Sequence, residues 1–280
     1  MTDAEGMAES VGPLVGGIDL GGTKISSVVY DAIRHAVVAR DRCVTPIGNG
    51  AAMVAAMAQS LRRCLAATET DSLIALGVGA PGPLNAQQGV LVAPPNLGDI
   101  RDLPLTSMLR EQFAGLPVFL ENDANVAALA EFRMGAGRGY GDGLYITLST
   151  GIGAGILIND QLYVGAAGTA GEVGHMVVAD GGPLCGCGHQ GCWEAVASGT
   201  AMARRGREAV ERFLQVSVAD ESATRERDWW TEQLSRDGWS SIDARTIFAA
   251  AADGITPGPS LVDEELHWLG VGLGNLINVL

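Results

Sequence analysis

VGGIDLGGTKISSVVYD (residues 15–31) and its echo LYITLSTGIGAGILIND (residues 144–160) decide the fold. Each reads as an apolar strand, a Gly/Thr turn and a second apolar strand, which is the pattern of a β-hairpin. A turn without side chains lets backbone N–H groups approach an anion closely. One such hairpin is weak evidence, and two ordinary hairpins in a sheet remain the plain alternative. The pair, one in each half and the first with Asp19 just before its turn, predicts a duplicated α/β fold with a nucleotide clamped between the halves.

The intervening chain alternates in the same style. Residues 51–67 are rich in Ala and Met, and Met53, Met57 and Leu61 recur at helical spacing, most simply a core stripe. SLIALGVG (residues 72–79) reads as a buried strand that ends in the Pro/Gly loop APGPLN. A further strand over residues 116–120 ends at Glu121-Asn122-Asp123, and helical periodicity follows over residues 125–134. Asp123 therefore stands where a strand yields to a helix, the edge at which open α/β sheets bind ligands. It is also where an Asp commonly caps a helix, and both roles are compatible.

GEVGHMVVADGGPLCGCGHQGCWE (residues 171–194) carries the densest chemistry. Three of the five cysteines, Cys185, Cys187 and Cys192, form C-x-C-x4-C, with His175 ten positions upstream. Zn²⁺ takes four soft or borderline ligands in a tetrahedron, and Cys3His supplies them. Free thiols or a disulfide are the plainer alternatives, but a bridge across C-x-C is strained. His189 is a second candidate for the fourth ligand, although it lies inside the tight loop. With all four positions held by protein, the metal is expected to be structural. Glu172 and Glu194 flank the knot, like the floor of a site for a polyhydroxyl ligand. Cys43 and Cys64 stand alone and read as small buried hydrophobes.

Composition narrows the function. The chain has 280 residues, 47% of them hydrophobic, enough for one large or two ordinary domains. Its net charge of −14, from 18 basic and 32 acidic residues, argues against a nucleic-acid surface, which needs clustered Lys and Arg. The start, MTDAEGMAES, lacks the basic and apolar regions of a signal peptide, and no apolar run reaches spanning length, so a cytoplasmic protein away from membranes is expected. After Gly199 the pattern is mostly helical. Residues 216–241 are charged, carry Trp229, Trp230 and Trp239, and read as a surface excursion, with Trp229 and Trp230 open to either a core or an interface role. ELHWLGVGLGNLINVL (residues 265–280) reads as an apolar helix whose glycines allow close approach of another helix or a nucleotide.

Taken in order, DLGGTK (19–24), ENDAN (121–125), STGIGAG (149–155), GEVGHM (171–176), CGCGHQGCWE (185–194) and LGVGLGNLINVL (269–280) resemble the ROK family of repressors, open-reading-frame proteins and sugar kinases. The zinc-loop segment is most similar to the family's bacterial glucokinases. The resemblance implies the actin-like ATPase fold shared with hexokinase, with two lobes and a central cleft, here drawn as residues 1–122 and 123–280. It implies ATP-dependent phosphorylation of glucose at the 6-hydroxyl, with Asp123 as general base. Asn122, Glu172, His175 and Glu194 would hold sugar hydroxyls, with Asn96 an additional contact. Asp19 would act near Mg²⁺, and Gly21, Gly22, Thr23, Thr150, Gly151 and Gly153 would line the phosphates.

The resemblance also implies a homodimer or homotetramer. It leaves open another sugar (fructose, mannose or an N-acetylhexosamine), polyphosphate as donor, or a non-catalytic sugar-binding regulator. The short stretch before the first strand leaves no room for a repressor's DNA-binding domain. Relatives are expected to continue past the position of Leu280 with a strand, a glycine-rich turn and a helix. A chain without them is expected to hold glucose better than ATP.

Overall fold

A computed structural model describes residues 12–68, 72–216 and 223–279. They fall into two compact units, one running up to Ala127 and the other from Ala128. The division lies inside helix α3 (Asp123–Met134) rather than at the strand end between Asn122 and Asp123.

The first unit is built on five strands. Strands β1 (Leu14–Leu20), β2 (Lys24–Asp31) and β3 (Ala36–Val44) form an antiparallel meander. Strand β4 (Leu73–Ala80) lies parallel to β1, and β5 (Leu84–Asn85) and β6 (Val90–Leu91) make a small ribbon. Strand β7 (Val118–Asn122) lies parallel to β4, giving the order β3-β2-β1-β4-β7. Side chains alternate across a strand, so Leu14, Ile18 and Leu20 of β1 face inward together. Helix α1 (Gly50–Ala66) meets them with Met53, Met57, Leu61 and Cys64, the expected stripe. Burying each of the larger side chains stabilises the unit by about 1.5–3 kcal/mol. Asn49 starts α1 by accepting the Ala52 N–H, and helix α2 (Leu105–Gln112) covers the β7 side.

The parallel strands share one C-terminal edge, which positions the chemistry. Asp19 pairs with Gly79 across β1 and β4, and Gly79 pairs with Glu121 across β4 and β7. Asp19 and the Asn122-Asp123 junction therefore emerge at the same end of the sheet.

The second unit opens on the expected second hairpin, β8 (Gly143–Leu148) and β9 (Ile152–Ile158), extended by β10 (Gln161–Leu162). Helices α4 (Trp193–Ala197), α5 (Gly199–Val216), α6 (Thr224–Asp237), α7 (Ala244–Ala252) and α8 (Gly258–Ile277) follow. Trp193, Val173, Val196 and Leu276 form one core, and Met202, Val210, Trp230 and Ile247 another.

The expected surface excursion is in part core. Trp230 on α6 is fully buried and its indole N–H donates to the Thr256 carbonyl, with Trp229 edge-on to it. Charge on the outer face of α6 conceals that inward pair in a sequence reading. Residues 217–222 of the stretch lie outside the described residues. The terminal apolar helix begins earlier than expected, at Gly258, and Leu280 is outside the described residues. No helix among the described residues is long and apolar enough to cross a membrane.

Candidate active site and metal centre

At the strand-to-helix junction, Asn122 Oδ1 accepts the N–H groups of Ala124 (2.9 Å) and Asn125 (3.3 Å). The helix cap is therefore Asn122 and not Asp123. Asp123 Oδ1 shares the Ala124 N–H at 2.8 Å, and Oδ2 has no partner among the described residues. Glu121 Oε1 accepts the Asn122 N–H and the buried Asn125 side-chain amide, which fixes the junction from behind. Asp123 is exposed as a residue, yet protein crowds its carboxyl. That desolvation, with the Asp19 charge as a smaller contribution, pushes its pKa above the ordinary value, against the backbone N–H groups of Ala124 and of Asp123 itself, which favour the anion. A carboxylate held at one oxygen, open at the other and made more basic than usual is equipped to accept a proton.

The first glycine turn is built as expected and more tightly braced. Gly21 N–H closes the turn on the Lys24 carbonyl at 3.0 Å, so that donor is spent internally. Thr45, buried and not recognised in the sequence, donates its hydroxyl to the Gly21 carbonyl at 2.7 Å and its N–H to the Thr23 carbonyl. A Cβ on Gly22 would stand 2.6 Å from the Asn96 carbonyl oxygen. The PPNLG turn, with Asn96 exposed on it, thus packs directly against the GGT turn.

In the second unit His175, Cys185, Cys187 and Cys192 bring one ligand atom each within 4.8 Å of all the others. His175 Nδ1 lies 3.6 Å from Cys185 Sγ, and Cys187 Sγ lies 3.6 Å from Cys192 Sγ. A tetrahedral zinc with Zn–S of about 2.3 Å has ligand edges of about 3.8 Å, so the donor set and its spacing fit the metal. His189 Nδ1 approaches Cys187 alone, at 3.5 Å, and is not part of the group. His175 turns its other ring nitrogen, Nε2, toward Glu172 Oε2 at 3.9 Å, the outer-shell arrangement that orients a metal-bound imidazole.

Glu194 follows the last cysteine by two residues and opens the first turn of α4. Its Oε2 accepts the Ile152 N–H at 2.9 Å, at the foot of the β8–β9 turn. A Cβ on Gly151 would come within 2.2 Å of that oxygen, so a larger residue there would displace the Glu194 carboxylate. Gly153, two residues on, is already in β9 and pairs with Thr147.

Outside that turn is a cavity of about 660 Å³, within the range of small-molecule sites. Ser149 and Thr150 supply one wall; Met202 and Ala203 of α5, Phe248 of α7 and Leu269 of α8 supply the apolar remainder. Arg207, Asp243, Arg245 and Glu265 add charge. Glu265 is buried; desolvation raises its pKa, while Arg205, which reaches both Glu265 and the Val196 carbonyl, opposes the rise. None of these lining side chains was singled out in the sequence except those of the turn.

The chain is 35% identical over 263 residues to a glucokinase of Streptomyces coelicolor, covering 94% of this chain and 77% of the relative. The fold is similar to that of a ROK family glucokinase from Streptomyces griseus solved with glucose and AMPPNP, with a TM-score of 0.71 and 34% identity over 95% of this chain and 80% of that one. A putative xylose repressor from Caldicellulosiruptor is 31% identical over 271 residues, covering 95% of this chain and 63% of that protein. The ROK family matches residues 15–280, so the chain belongs to the ROK family and has its actin-like ATPase fold.

Proposed function

We propose that the chain is a hexose kinase that transfers the terminal phosphoryl group of ATP to the 6-hydroxyl of glucose. The observation that carries this is Asp123: a carboxylate at the C-terminal edge of a parallel sheet, with one oxygen unpartnered and its basicity raised by burial. Family membership and the glucokinase relatives support the substrate class. In this reading Asp123 accepts the hydroxyl proton as the oxygen bonds to phosphorus. Asn122, Glu172, His175 and Glu194 hold the sugar hydroxyls, and Asn96 adds a contact. Paired acceptors that meet hydroxyl donors discriminate epimers, because a wrong epimer leaves a buried acceptor unpaired.

The 660 Å³ cavity takes the nucleoside. Gly21, Gly22 and Thr23 on one turn and Thr150, Gly151 and Gly153 on the other line the phosphates. The N-terminus of α5, whose Gly199 and Thr200 border the cavity, adds a favourable dipole for an anion. Asp19 would act near the Mg²⁺ that accompanies ATP, which would neutralise phosphate charge. Zinc, held by His175, Cys185, Cys187 and Cys192, supplies no reaction chemistry; its four ligands fix the loop that carries the sugar residues.

The test is ADP release with glucose, fructose, mannose and N-acetylglucosamine, each with ATP and with polyphosphate. The highest kcat/KM is expected for glucose with ATP. A preference for another hexose would change the substrate and keep the mechanism. Sugar binding without turnover would overturn the kinase reading in favour of a regulator, the role named for the repressor relative.

A further inference from the structure

Residues 149–151 are held by the segments proposed to bind the sugar. Ile152 N–H donates to Glu194 Oε2 at 2.9 Å. At the other end, Gly199 N–H, the first residue of α5, donates to the Ser149 carbonyl at 2.8 Å. The turn is thus gripped on both sides by the short stretch that runs from α4 into α5. Its outer residues, Ser149 and Thr150, are the ones that border the cavity. Glu194 itself cannot drift by moving its backbone. Cys192, two residues before it, belongs to the metal group, and Trp193 is buried against Gly272 with its indole N–H on the Trp268 carbonyl. Only the carboxylate moves, and its Oε1 has no partner among the described residues.

We propose that Glu194 is a latch that couples the two substrates. One oxygen grips the phosphate turn through Ile152, while the other takes a sugar hydroxyl. The inference rests on the assignment of Glu194 as a sugar ligand. A sugar that fixes Oε1 also fixes Oε2, and so orders the turn that meets the phosphates. Nucleotide that orders the turn pre-positions Glu194 for sugar. Linkage requires the effect to be reciprocal and equal in both directions.

The experiment is calorimetry on the zinc-loaded full chain. Glucose affinity is measured with and without a saturating non-hydrolysable ATP analogue, and analogue affinity with and without glucose. In the native protein each ligand is expected to tighten the other by about tenfold, within the roughly 5–150-fold typical of coupled sites. Glu194→Gln keeps one oxygen for the Ile152 N–H and loses the acceptor facing the sugar. It is expected to weaken glucose and to lower the ratio toward one, because the sugar no longer fixes the side chain that grips the turn. Gly151→Ala drives a methyl into Oε2 and is expected to bring the ratio close to one. Glu194→Asp, one methylene short of Ile152, gives the same loss without altering the turn, should Gly151→Ala fail to fold. A native ratio of one, or an unchanged ratio in both Gly151→Ala and Glu194→Asp, overturns the latch and leaves the sugar assignment standing. Unchanged glucose affinity in Glu194→Gln removes the sugar assignment itself, and the latch with it.

Discussion

Replacing Asp123 by Asn removes a proton acceptor and leaves its shape. A positioned general base is worth about 10²–10⁴ in rate, or about 2.7–5.5 kcal/mol of transition-state stabilisation. Turnover is expected to fall by that factor while glucose affinity changes little. Stability gives an independent check. The helix cap is Asn122, so Asp123→Asn costs no cap. Desolvation raises the Asp123 pKa above the ordinary value of an aspartate. In the window between the unfolded and the raised folded value, the native state still holds a proton that the unfolded chain has lost. Native stability is therefore lost as pH rises through that window, and at neutral pH the wild-type carries an ionisation penalty that Asn lacks. The variant is expected to be at least as stable at pH 7, with its relative gain opening as pH rises from 4. The acid limb of wild-type turnover is expected above the ordinary carboxylate range, since the base must be ionised to work. Steady-state ADP release across pH, with urea denaturation at pH 4 and 7, measures both. Near-normal turnover in a folded variant would refute the general base. A stability loss near 1 kcal/mol at pH 7 would refute the ionisation penalty ascribed to Asp123.

Asn122→Ala is expected to cost about 0.5–2 kcal/mol by removing the cap and to raise the glucose KM, as read by urea denaturation and kinetics. Elemental analysis is expected to find one zinc per chain; Cys192→Ser should lose it and raise the glucose KM, whereas His189→Ala should keep it. Zinc retained in Cys192→Ser would contradict the ligand set. Gly272→Ala would bring a methyl within 2.0 Å of the Trp193 ring, and overpacking of this kind costs about 1–3 kcal/mol. Unchanged denaturation would mean that α8 slides freely over that indole.

What the sequence discloses is local. The two hairpins and the Cys/His knot compress their evidence into a few neighbouring residues, and the structure assembles both. The cavity does not read out, because Met202, Phe248 and Leu269 lie on three helices and each follows ordinary apolar spacing. The same limit applies to Thr45, whose hydroxyl braces a turn 24 positions earlier. Gly151 is instructive in another way. A phosphate was a sufficient reason for glycine in the sequence, but a carboxylate from Glu194 crowds the position from a distant part of the chain. The cap at Asn122 was missed by one residue, since two adjacent capping side chains precede the helix and only the bond to Asn125 separates them.

Cys192 leads directly into Trp193 and Glu194, the first two residues of a helix of only five residues, α4. Such a helix is far too short to persist on its own. It is fastened through the two residues just before Glu194, Cys192 in the His/Cys group and the buried indole of Trp193. On the proposed roles this tripeptide leaves natural variation almost nothing to adjust: a change at any of its three positions would disturb the proposed metal site, the core or the proposed sugar contact. Drift in substrate preference is expected to begin elsewhere, on exposed positions such as Asn96 and Glu172. A laboratory search for altered sugar preference has the same place to start.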